Sequence, residues 1–260
     1  MIANYHTHTY RCQHADGCDE EYVKKAITEG LDILGFSDHG PYYAVPDSSY
    51  KMKYSEIPEY FASVLSLREK YADKIEIPLG FEIEYYKDDF LDTLRAYREY
   101  PPEYLILGQH FVGRCESRGE LGVRSPSPTD DEAILRKYAD EIIAGMETEN
   151  FSILAHPDII NFVGSPKVYE REMRRVIRAA RETGTYIEYN LLGMSEKRSY
   201  PTELFWTLAA DEKMEAVIGC DAHSPSRVAD AIELSKANGY LSALGIKVCP
   251  KIELRKPKLF

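Results

Sequence analysis

The segment NYHTHTYRCQHADG, residues 4–17, carries three of the chain's seven histidines, His6, His8 and His14. It follows a short apolar start, and its His-x-His pair precedes the third histidine by six residues. In a β-strand, side chains two residues apart point to the same side, so His6 and His8 can bind one metal ion together. Neutral imidazole is the commonest metal ligand in proteins. The segment therefore predicts a strand end that contributes to a metal site.

The other histidines also follow predicted strands. The apolar runs predict strands at Ile2–Thr7, Ile33–Ser37, Ile75–Ile83, Tyr104–Gln109, Ser152–Ala155, Tyr186–Tyr189 and Ala216–Gly219. His39, His110, His156 and His223 stand just beyond the second, fourth, fifth and seventh of these. Catalytic side chains of α/β barrels collect at the carboxyl ends of the strands. Because histidines spread at random would also fall in helices, this placement indicates one common site.

Helix-like segments separate the predicted strands, which is typical of repeated βα units. The segment DEEYVKKAITEGL begins with acids and reaches Gly30, as helices often do. Further helices are predicted at Ile57–Tyr71, Phe90–Tyr100, Thr129–Glu147, Pro166–Thr183, Thr202–Asp211 and Arg227–Asn238, with a late strand at Ile246–Cys249. The repeats predict a parallel α/β barrel over residues 1–260 as one domain. The segment VGRCESRGELGVRSPSPTD, residues 112–130, is predicted to be a long loop that serves as a lid or binding element.

The composition limits the function classes. The chain is 44% hydrophobic and 29% charged, as globular proteins are, and it has no run of 18 apolar residues, so we expect no membrane span. The start MIANYHTHTY lacks the features of a signal peptide, and five scattered cysteines without CxxC are read as reduced thiols. We therefore expect a cytoplasmic protein. A net charge of −11 argues against long nucleic acid but allows a small phosphorylated substrate.

The candidate ligands are nitrogen and oxygen donors, since no cysteine shares the distribution of the histidines. Such a set favours Zn, Mn or Fe ions. Seven histidines exceed the three or four protein ligands of one ion, so two to three ions are expected. Several ions need bridging carboxylates, and Glu82 and Asp221 stand at strand ends beside histidines. Glu84 and Asp38 are further acids close to the same positions.

Six motifs resemble, in order, those of the PHP (polymerase and histidinol phosphatase) family. They are HTHT at 6–9, SDHG at 37–40, GFE at 80–82, QHF at 109–111, AHPD at 155–158 and DAH at 221–223. Within the family, residues 6–41, IEYNLLGMSEKRSYP at 187–201 and GCDAHSPSRVAD at 219–230 look most like the monofunctional histidinol-phosphatases. The resemblance covers nearly the whole chain and implies a distorted (β/α)7 barrel with a trinuclear metal centre.

The resemblance also implies a division of nine ligands among three ions. One ion would take His6, His8, Glu82 and Asp221; a second would share Glu82 and take His110 and His156; the third would take His14, His39 and His223. All nine positions hold the expected residue type. Glu84 stands where relatives often carry Asp or Asn, and we interpret it as a neighbour of the ligands.

The implied reaction is hydrolysis of a small phosphate monoester, with L-histidinol phosphate giving L-histidinol and phosphate in histidine biosynthesis. Water held between metal ions would attack phosphorus, and the ions would neutralise the phosphoryl oxygens. Catalytic roles are predicted for Glu82, Asp221 and His223. Either Asp221 or a metal-bound water would protonate the leaving alkoxide.

Several residues are candidates for holding the substrate. The guanidinium group of arginine can bind a phosphate through two parallel hydrogen bonds. Arg198 follows the segment with Glu188 and Asn190, after which similar histidinol-phosphatases carry basic residues; Glu188 and Asn190 are candidates as well. Arg114, Arg118 and Arg124 lie in the long segment after the fourth strand. The substrate amine and imidazole need acids or aromatic faces, and the aromatic candidates are Tyr42, Tyr43, Tyr85 and Tyr200. Asp16 is either a pocket acid or a turn residue beside Gly17, and the turn is the favoured interpretation.

Three alternatives remain open at the level of sequence. The first is a PHP phosphoesterase for another small ester, such as a nucleotide, a sugar phosphate or an oligonucleotide end. The second is a metal-dependent amidohydrolase, which usually adds a lysine on strand four, where YLILGQH has none. The third is a non-catalytic metal-binding domain. The metal identity and the oligomeric state are not specified.

Overall fold

The computed structural model describes residues 2–42, 50–115 and 120–259. Over these ranges the strands are β1 Ala3–Asn4, β2 Ile33–Leu34, β3 Gly80–Ile83, β4 Tyr104–Leu107, β5 Phe111–Cys115, β6 Glu120–Arg124, β7 Ile153–Leu154, β8 Tyr186–Asn190 and β9 Ala216–Gly219. The α-helices are α1 Asp19–Thr28, α2 Ile57–Lys70, α3 Phe90–Ala96, α4 Glu132–Glu147, α5 Pro166–Thr183, α6 Leu191–Ser195, α7 Glu203–Asp211 and α8 Ala231–Ala243.

Seven parallel strands follow one another in a ring. A five-stranded sheet has the order β3-β4-β7-β8-β9, and β1 and β2 form a separate parallel pair. Isolated bridges connect this pair to the larger sheet, from Ile33 to Glu76 and from Phe36 to Leu79 on one side and from Thr7 to Ala222 on the other. Because regular ladders are missing at these two joints, the ring is a distorted barrel. The predicted (β/α)7 fold is confirmed.

The strands separate two apolar layers. Along β4, Tyr104 and Ile106 belong to the cluster inside the ring, with Ile33 and Val217 among its other members. Leu105 and Leu107 belong to the larger cluster beneath the helices. This alternation is the period of two of a strand whose faces are both buried. The inner cluster fills one end of the barrel and leaves the carboxyl ends of the strands to polar side chains.

The predicted elements mostly agree with the observed ones, but two predictions are wrong in part. Residues 112–130 do not form a simple loop, because Phe111–Cys115 and Glu120–Arg124 pair as an antiparallel hairpin. The Gly, Ser and Pro content of this segment concealed the strand pattern. The late strand at Ile246–Cys249 is reduced to a single bridge between Ala216 and Val248. In the described part of the chain, no helix is long and apolar enough to cross a membrane.

Glu141 of α4 anchors the base of this hairpin. Its Oε2 accepts a hydrogen bond from the backbone N–H of Gly113 at 3.1 Å and another from Gln109 Nε2 at 3.2 Å. Gln109 in turn accepts from the backbone N–H of Tyr85 at 3.0 Å. Burial raises the pKa of Glu141 to about 7. The carboxyl group is therefore held where its neutral form is favoured.

We expect Glu141 to make folding stability depend on pH. Because its folded pKa lies above the ordinary value of 4.5, its stabilising contribution is complete below about pH 4.5 and is lost as the pH rises to about 7. Glu141→Gln stays neutral and should lack this loss, so the Tm difference between variant and wild type should grow over that range. The exposed Glu147→Gln on the same helix should follow wild type. Parallel Tm–pH curves for wild type and Glu141→Gln would contradict this.

Candidate metal centre

All seven histidines gather at the carboxyl ends of the barrel strands. His6 and His8 follow β1, His39 follows β2, and His14 follows the 3-10 helix Tyr10–Cys12. His110, His156 and His223 come after β4, β7 and β9. Each imidazole ring has another beside it, with centroid separations from 4.0 Å for His8 and His223 to 6.0 Å for His39 and His223. Residues that are far apart in the sequence thus form a single cluster in the fold.

The carboxylate of Glu82, in β3, lies in the middle of the cluster and is fully buried. Five imidazole nitrogens lie within 3.6 Å of its oxygens: His39 Nδ1 at 3.0 Å, His6 Nε2 at 3.4 Å and His8 Nε2 at 3.6 Å from Oε2, and His156 Nε2 at 3.0 Å and His110 Nε2 at 3.6 Å from Oε1. Burial opposes ionisation, but the histidines, His110 first, outweigh it and hold the pKa of Glu82 well below its ordinary value. A carboxylate with imidazoles facing both of its oxygens could hold two metal ions.

Asp221 lies on the other side of the first two histidines. Its Oδ1 is 3.0 Å from His8 Nε2 and 3.6 Å from His6 Nε2. Its backbone has φ +49°, and His156 has φ +29°, conformations that residues other than glycine rarely adopt and that often mark functional positions. Although burial opposes ionisation, His6 and His8 hold the pKa of Asp221 well below its ordinary value. Asp221 is therefore ionised in the cluster, which is the form in which a carboxylate binds a metal ion.

His14 and His223 face each other at the mouth of the cluster, with their Nε2 atoms 3.0 Å apart. Their Nδ1 atoms point at backbone carbonyl oxygens, of Cys12 at 2.7 Å and of Asp221 at 3.0 Å. Burial lowers the pKa of both rings, that of His223 to about 3. A carbonyl only accepts, so each neutral ring carries its proton on Nδ1, and two Nε2 lone pairs face each other. A metal ion bound by both nitrogens would remove this repulsion.

Buried carboxylates behind the cluster orient two of its histidines. Glu188 Oε2 lies 2.7 Å from His6 Nδ1, and Glu188 Oε1 accepts from Asn190 Nδ2 at 2.7 Å. On the opposite side, Glu84 Oε1 lies 3.2 Å from His110 Nδ1. Carboxylate partners of this kind fix the tautomer of a metal-binding histidine and aim its other nitrogen at the ion.

The donor set fits divalent metal ions. Several buried atoms that point into the cluster have no hydrogen-bond partner, among them His6 Nε2, His8 Nε2 and Glu82 Oε2. Buried polar atoms are normally paired, and a group of unpaired donor atoms facing one space is what a metal site provides. His6, His8 and Asp221 place donor atoms within 4.8 Å of one another, as do His6, Glu82 and His156 and also His8, His39 and His223. All nine predicted ligands lie in this one cluster.

One cysteine lies closer to the cluster than the sequence suggested. Cys12 is buried, and its Sγ is within 4.8 Å of donor atoms of both His14 and His223. Burial strongly raises the pKa of its thiol, with Asp38 adding to the effect. The donor set is therefore mainly nitrogen and oxygen, with one protonated thiol at its edge.

The predicted substrate-binding residues separate into two groups. Glu188 and Asn190 are each 1% exposed; Glu188 contacts His6, and Asn190 contacts Asp221. These contacts indicate that the two residues orient the proposed metal ligands. Their contact with substrate remains a prediction. Arg198 lies nearer the surface, where Nη1 donates to Tyr200 Oη at 3.0 Å and Nη2 pairs with Glu196 at 2.7 Å.

The remaining candidates differ in how they are placed. The Tyr200 ring is 5.6 Å from that of His156, whereas the hydroxyl of buried Tyr42 accepts from the Glu84 backbone N–H. Tyr85 is half-buried, and Asp16 and Arg124 are exposed. Arg114 lies in β5, and Arg118 and Tyr43 lie outside the described residues.

The sequence reasoning missed two glycines that make room for carboxylates. A Cβ on Gly108, directly after β4, would overlap Oε1 of Glu82, and one on Gly219, at the end of β9, would overlap Oε2 of Glu188. It also missed Lys51, which is buried beside Glu84. The glycines are visible in LGQH and IGCD. The reason for a glycine at each position becomes clear only when the side chain from the adjacent strand is known.

Comparison with known proteins gives consistent matches. The PHP domain family model matches residues 4–191. A probable histidinol-phosphatase of Deinococcus radiodurans is 25% identical over 89% of this chain and 92% of its own length. One of Schizosaccharomyces pombe is 24% identical over 97% of this chain and 90% of its own. The histidinol phosphate phosphatase of Lactococcus lactis, crystallised with zinc, L-histidinol and phosphate, has a TM-score of 0.74 and 18% identity over 98% of this chain and 97% of its own.

We expect Gly108→Ala to lower the metal content of the protein. Its methyl group would displace the Glu82 carboxylate, which lies between five histidines. Elemental analysis after purification should find fewer metal equivalents per chain than in wild type. Gly239→Ala in α8, where a Cβ meets nothing within 4 Å, is the matched control and should keep the full content. Equal metal content in Gly108→Ala and wild type would show that Glu82 does not hold the ions.

We expect His14→Ala to lose one metal ion selectively. His14 faces His223 at the mouth and makes no contact with the central Glu82 carboxylate among those described. Metal titration should find about one equivalent fewer, with the remaining equivalents bound as in wild type. Cys18→Ala changes an exposed residue of the same loop and should bind as wild type does. Loss of all ions, or of none, in His14→Ala would contradict this division of the centre.

Proposed function

The chain belongs to the PHP family, and from this premise we propose that it is a metal-dependent phosphatase that hydrolyses L-histidinol phosphate to L-histidinol and phosphate. The observation that carries the proposal is the Glu82 carboxylate, buried with five imidazole nitrogens within 3.6 Å of its oxygens. Such a site suits a reaction in which negative charge on a phosphoryl group must be neutralised.

Two observations support the choice of substrate. The relatives from Deinococcus radiodurans and Schizosaccharomyces pombe, which match this chain over most of its length, are both called probable histidinol-phosphatases. The Lactococcus lactis enzyme of the same fold binds zinc, L-histidinol and phosphate. We further propose that the protein acts in the cytoplasm, where the free thiols of Cys12, Cys18, Cys220 and Cys249 would stay reduced.

We propose that two to three ions of zinc, manganese or iron share the nine ligands. His6, His8 and Asp221 would hold the first, His110 and His156 the second, and His14, His39 and His223 the third. Glu82 would bridge the first two through its two oxygens, since Oε2 faces His6 and His8 while Oε1 faces His110 and His156. The contacts of Oε1 support this division, whereas Oε2 also lies 3.0 Å from Nδ1 of His39, which the division gives to the third ion.

Divalent ions bound there would lower the pKa of a water molecule and neutralise charge on the phosphate. The protein's own groups keep the donors in place. Glu188 accepts the Nδ1 proton of His6 and leaves Nε2 to face Glu82 and Asp221. Arg198, whose Nη1 donates to Tyr200 beside His156, would bind phosphate oxygens.

The roles of Asp221 and His223 follow from their proton affinities. The pKa of Asp221 lies well below its ordinary value, and burial lowers that of His223 to about 3. Asp221 is then ionised, and the one proton of neutral His223 lies on Nδ1, directed at the backbone carbonyl of Asp221 rather than at the cluster. This favours metal-ligand roles for both residues over proton donation.

We expect the metal-loaded protein to have a higher kcat/KM for L-histidinol phosphate than for any other ester in a panel of monoesters. The panel contains a nucleotide, a sugar phosphate and an oligonucleotide with a terminal phosphate, together with an amide and a lactone. Elemental analysis of the same sample should find two to three equivalents per chain. A better phosphate ester would overturn the substrate, a preferred amide or lactone would overturn the reaction, and absence of all activity after full loading would indicate a non-catalytic domain.

A further inference from the structure

The two carboxylates behind the metal centre are held by different kinds of partner. Glu188, which contacts His6, accepts from the neutral amide of Asn190. Glu84, which contacts His110, is paired with the ammonium of Lys51, whose Nζ lies 2.6 Å from Glu84 Oε2. Both side chains of this ion pair are 3% exposed or less. The two sides of the centre are built alike in geometry, but the partner is an amide on one side and, on the other, a buried lysine whose pKa desolvation lowers to about 7.

Lys51 is fixed in place by contacts on several sides. Its Nζ lies 4.2 Å from the ring centroid of Tyr42, and its backbone carbonyl accepts from Gln13 Nε2 at 2.9 Å. The next residue, Met52, donates its backbone N–H to the carbonyl of His39 at 3.0 Å. The lysine is thus tied to the loops that carry His14 and His39 while its side chain reaches Glu84.

The Lys51 contact leaves the second oxygen of Glu84 for His110. Oε1 faces His110 Nδ1 at 3.2 Å, and the other ring nitrogen, Nε2, is then 3.6 Å from Glu82 Oε1. His110 is more exposed than Glu84, with 24% of its side chain accessible. Its orientation therefore depends on the carboxylate behind it. Removing the Lys51 ammonium would free Glu84 to turn and leave a buried carboxylate with one partner fewer, which is costly.

We propose that Lys51 is a positioning residue for the metal centre, which acts through Glu84 to hold Nε2 of His110 toward Glu82. The inference rests on the proposed function, because it concerns one ion of the proposed centre. It goes beyond the nine ligands by assigning a role to a cation that contacts no ligand directly in the described structure. The expected consequence is a change in the retention of one ion, that at His110 and His156.

The test compares metal release from purified, metal-loaded variants to a chromogenic chelator. Lys51→Met keeps the length of the side chain without its charge, and Lys53→Met, which changes an exposed lysine two residues away, is the control. Loss of a residue behind a metal ligand typically weakens binding about 10- to 100-fold. We expect Lys51→Met to release one equivalent at least about 10-fold more readily, with the other equivalents and the Lys53→Met protein unchanged.

A double-mutant cycle separates positioning through Glu84 from a general packing role. If Lys51 acts through Glu84, then Lys51→Met combined with Glu84→Gln should lose no more affinity for that equivalent than Glu84→Gln alone. Lys51→Gln, which offers Glu84 an amide like that of Asn190, should recover part of the loss and serves as the test variant if Lys51→Met does not fold.

The possible outcomes distinguish this inference from the proposed function. Wild-type protein that binds no metal would overturn the proposed function itself. If wild type is loaded, then equal retention in the Lys51 variants, additive losses in the double variant, or loss of every equivalent together would overturn the role of Lys51 and leave the metal centre standing.

Discussion

The whole site depends on one buried carboxylate that five imidazoles surround. Glu82 is placed by β3, in the five-stranded sheet, and the histidines reach it from β1, β2, β4 and β7. A single strand cannot supply such an arrangement, because its side chains reach only their immediate neighbours. The ring of parallel strands is what allows residues far apart in sequence to meet around one group. The order of the strands around the barrel therefore determines which side chains meet at the cluster.

The histidines of the cluster differ in the direction in which their pKa values are shifted. Burial disfavours protonation of the inner and the outer rings alike, but carboxylates outweigh it at His6 and His8 and raise the pKa of His8 to about 9. At the mouth burial prevails, and the pKa of His14 and of His223 is lowered. Without metal, protons thus occupy the inner part of the cluster, where buried carboxylates supply the negative charge. Metal ions and protons compete for that inner part, whereas the mouth offers neutral donors.

The sequence predicted that the histidines would meet, because the carboxyl ends of parallel strands in a barrel lie on one face. His39, His110 and His156 were located by that rule alone, and the seven repeats predicted the barrel. The neighbours of the ligands could not be predicted in the same way. Glu188 meets His6 across 182 positions of sequence, and Lys51 approaches Glu84 from an irregular connection. Such contacts depend on how strands are ordered around the ring and how far a loop folds back, which local patterns do not encode.

Besides the nine proposed ligands, the site requires glycine at positions 108 and 219. Neither glycine has a side chain that could bind a metal ion. Because each lacks a Cβ, a carboxylate from the adjacent strand occupies the space that a side chain would fill. Grafting the nine ligands onto another barrel would therefore reproduce the chemistry of the donors and still fail to accommodate them. A transplantable unit consists of the ligands together with the two strand-end positions that lack a side chain.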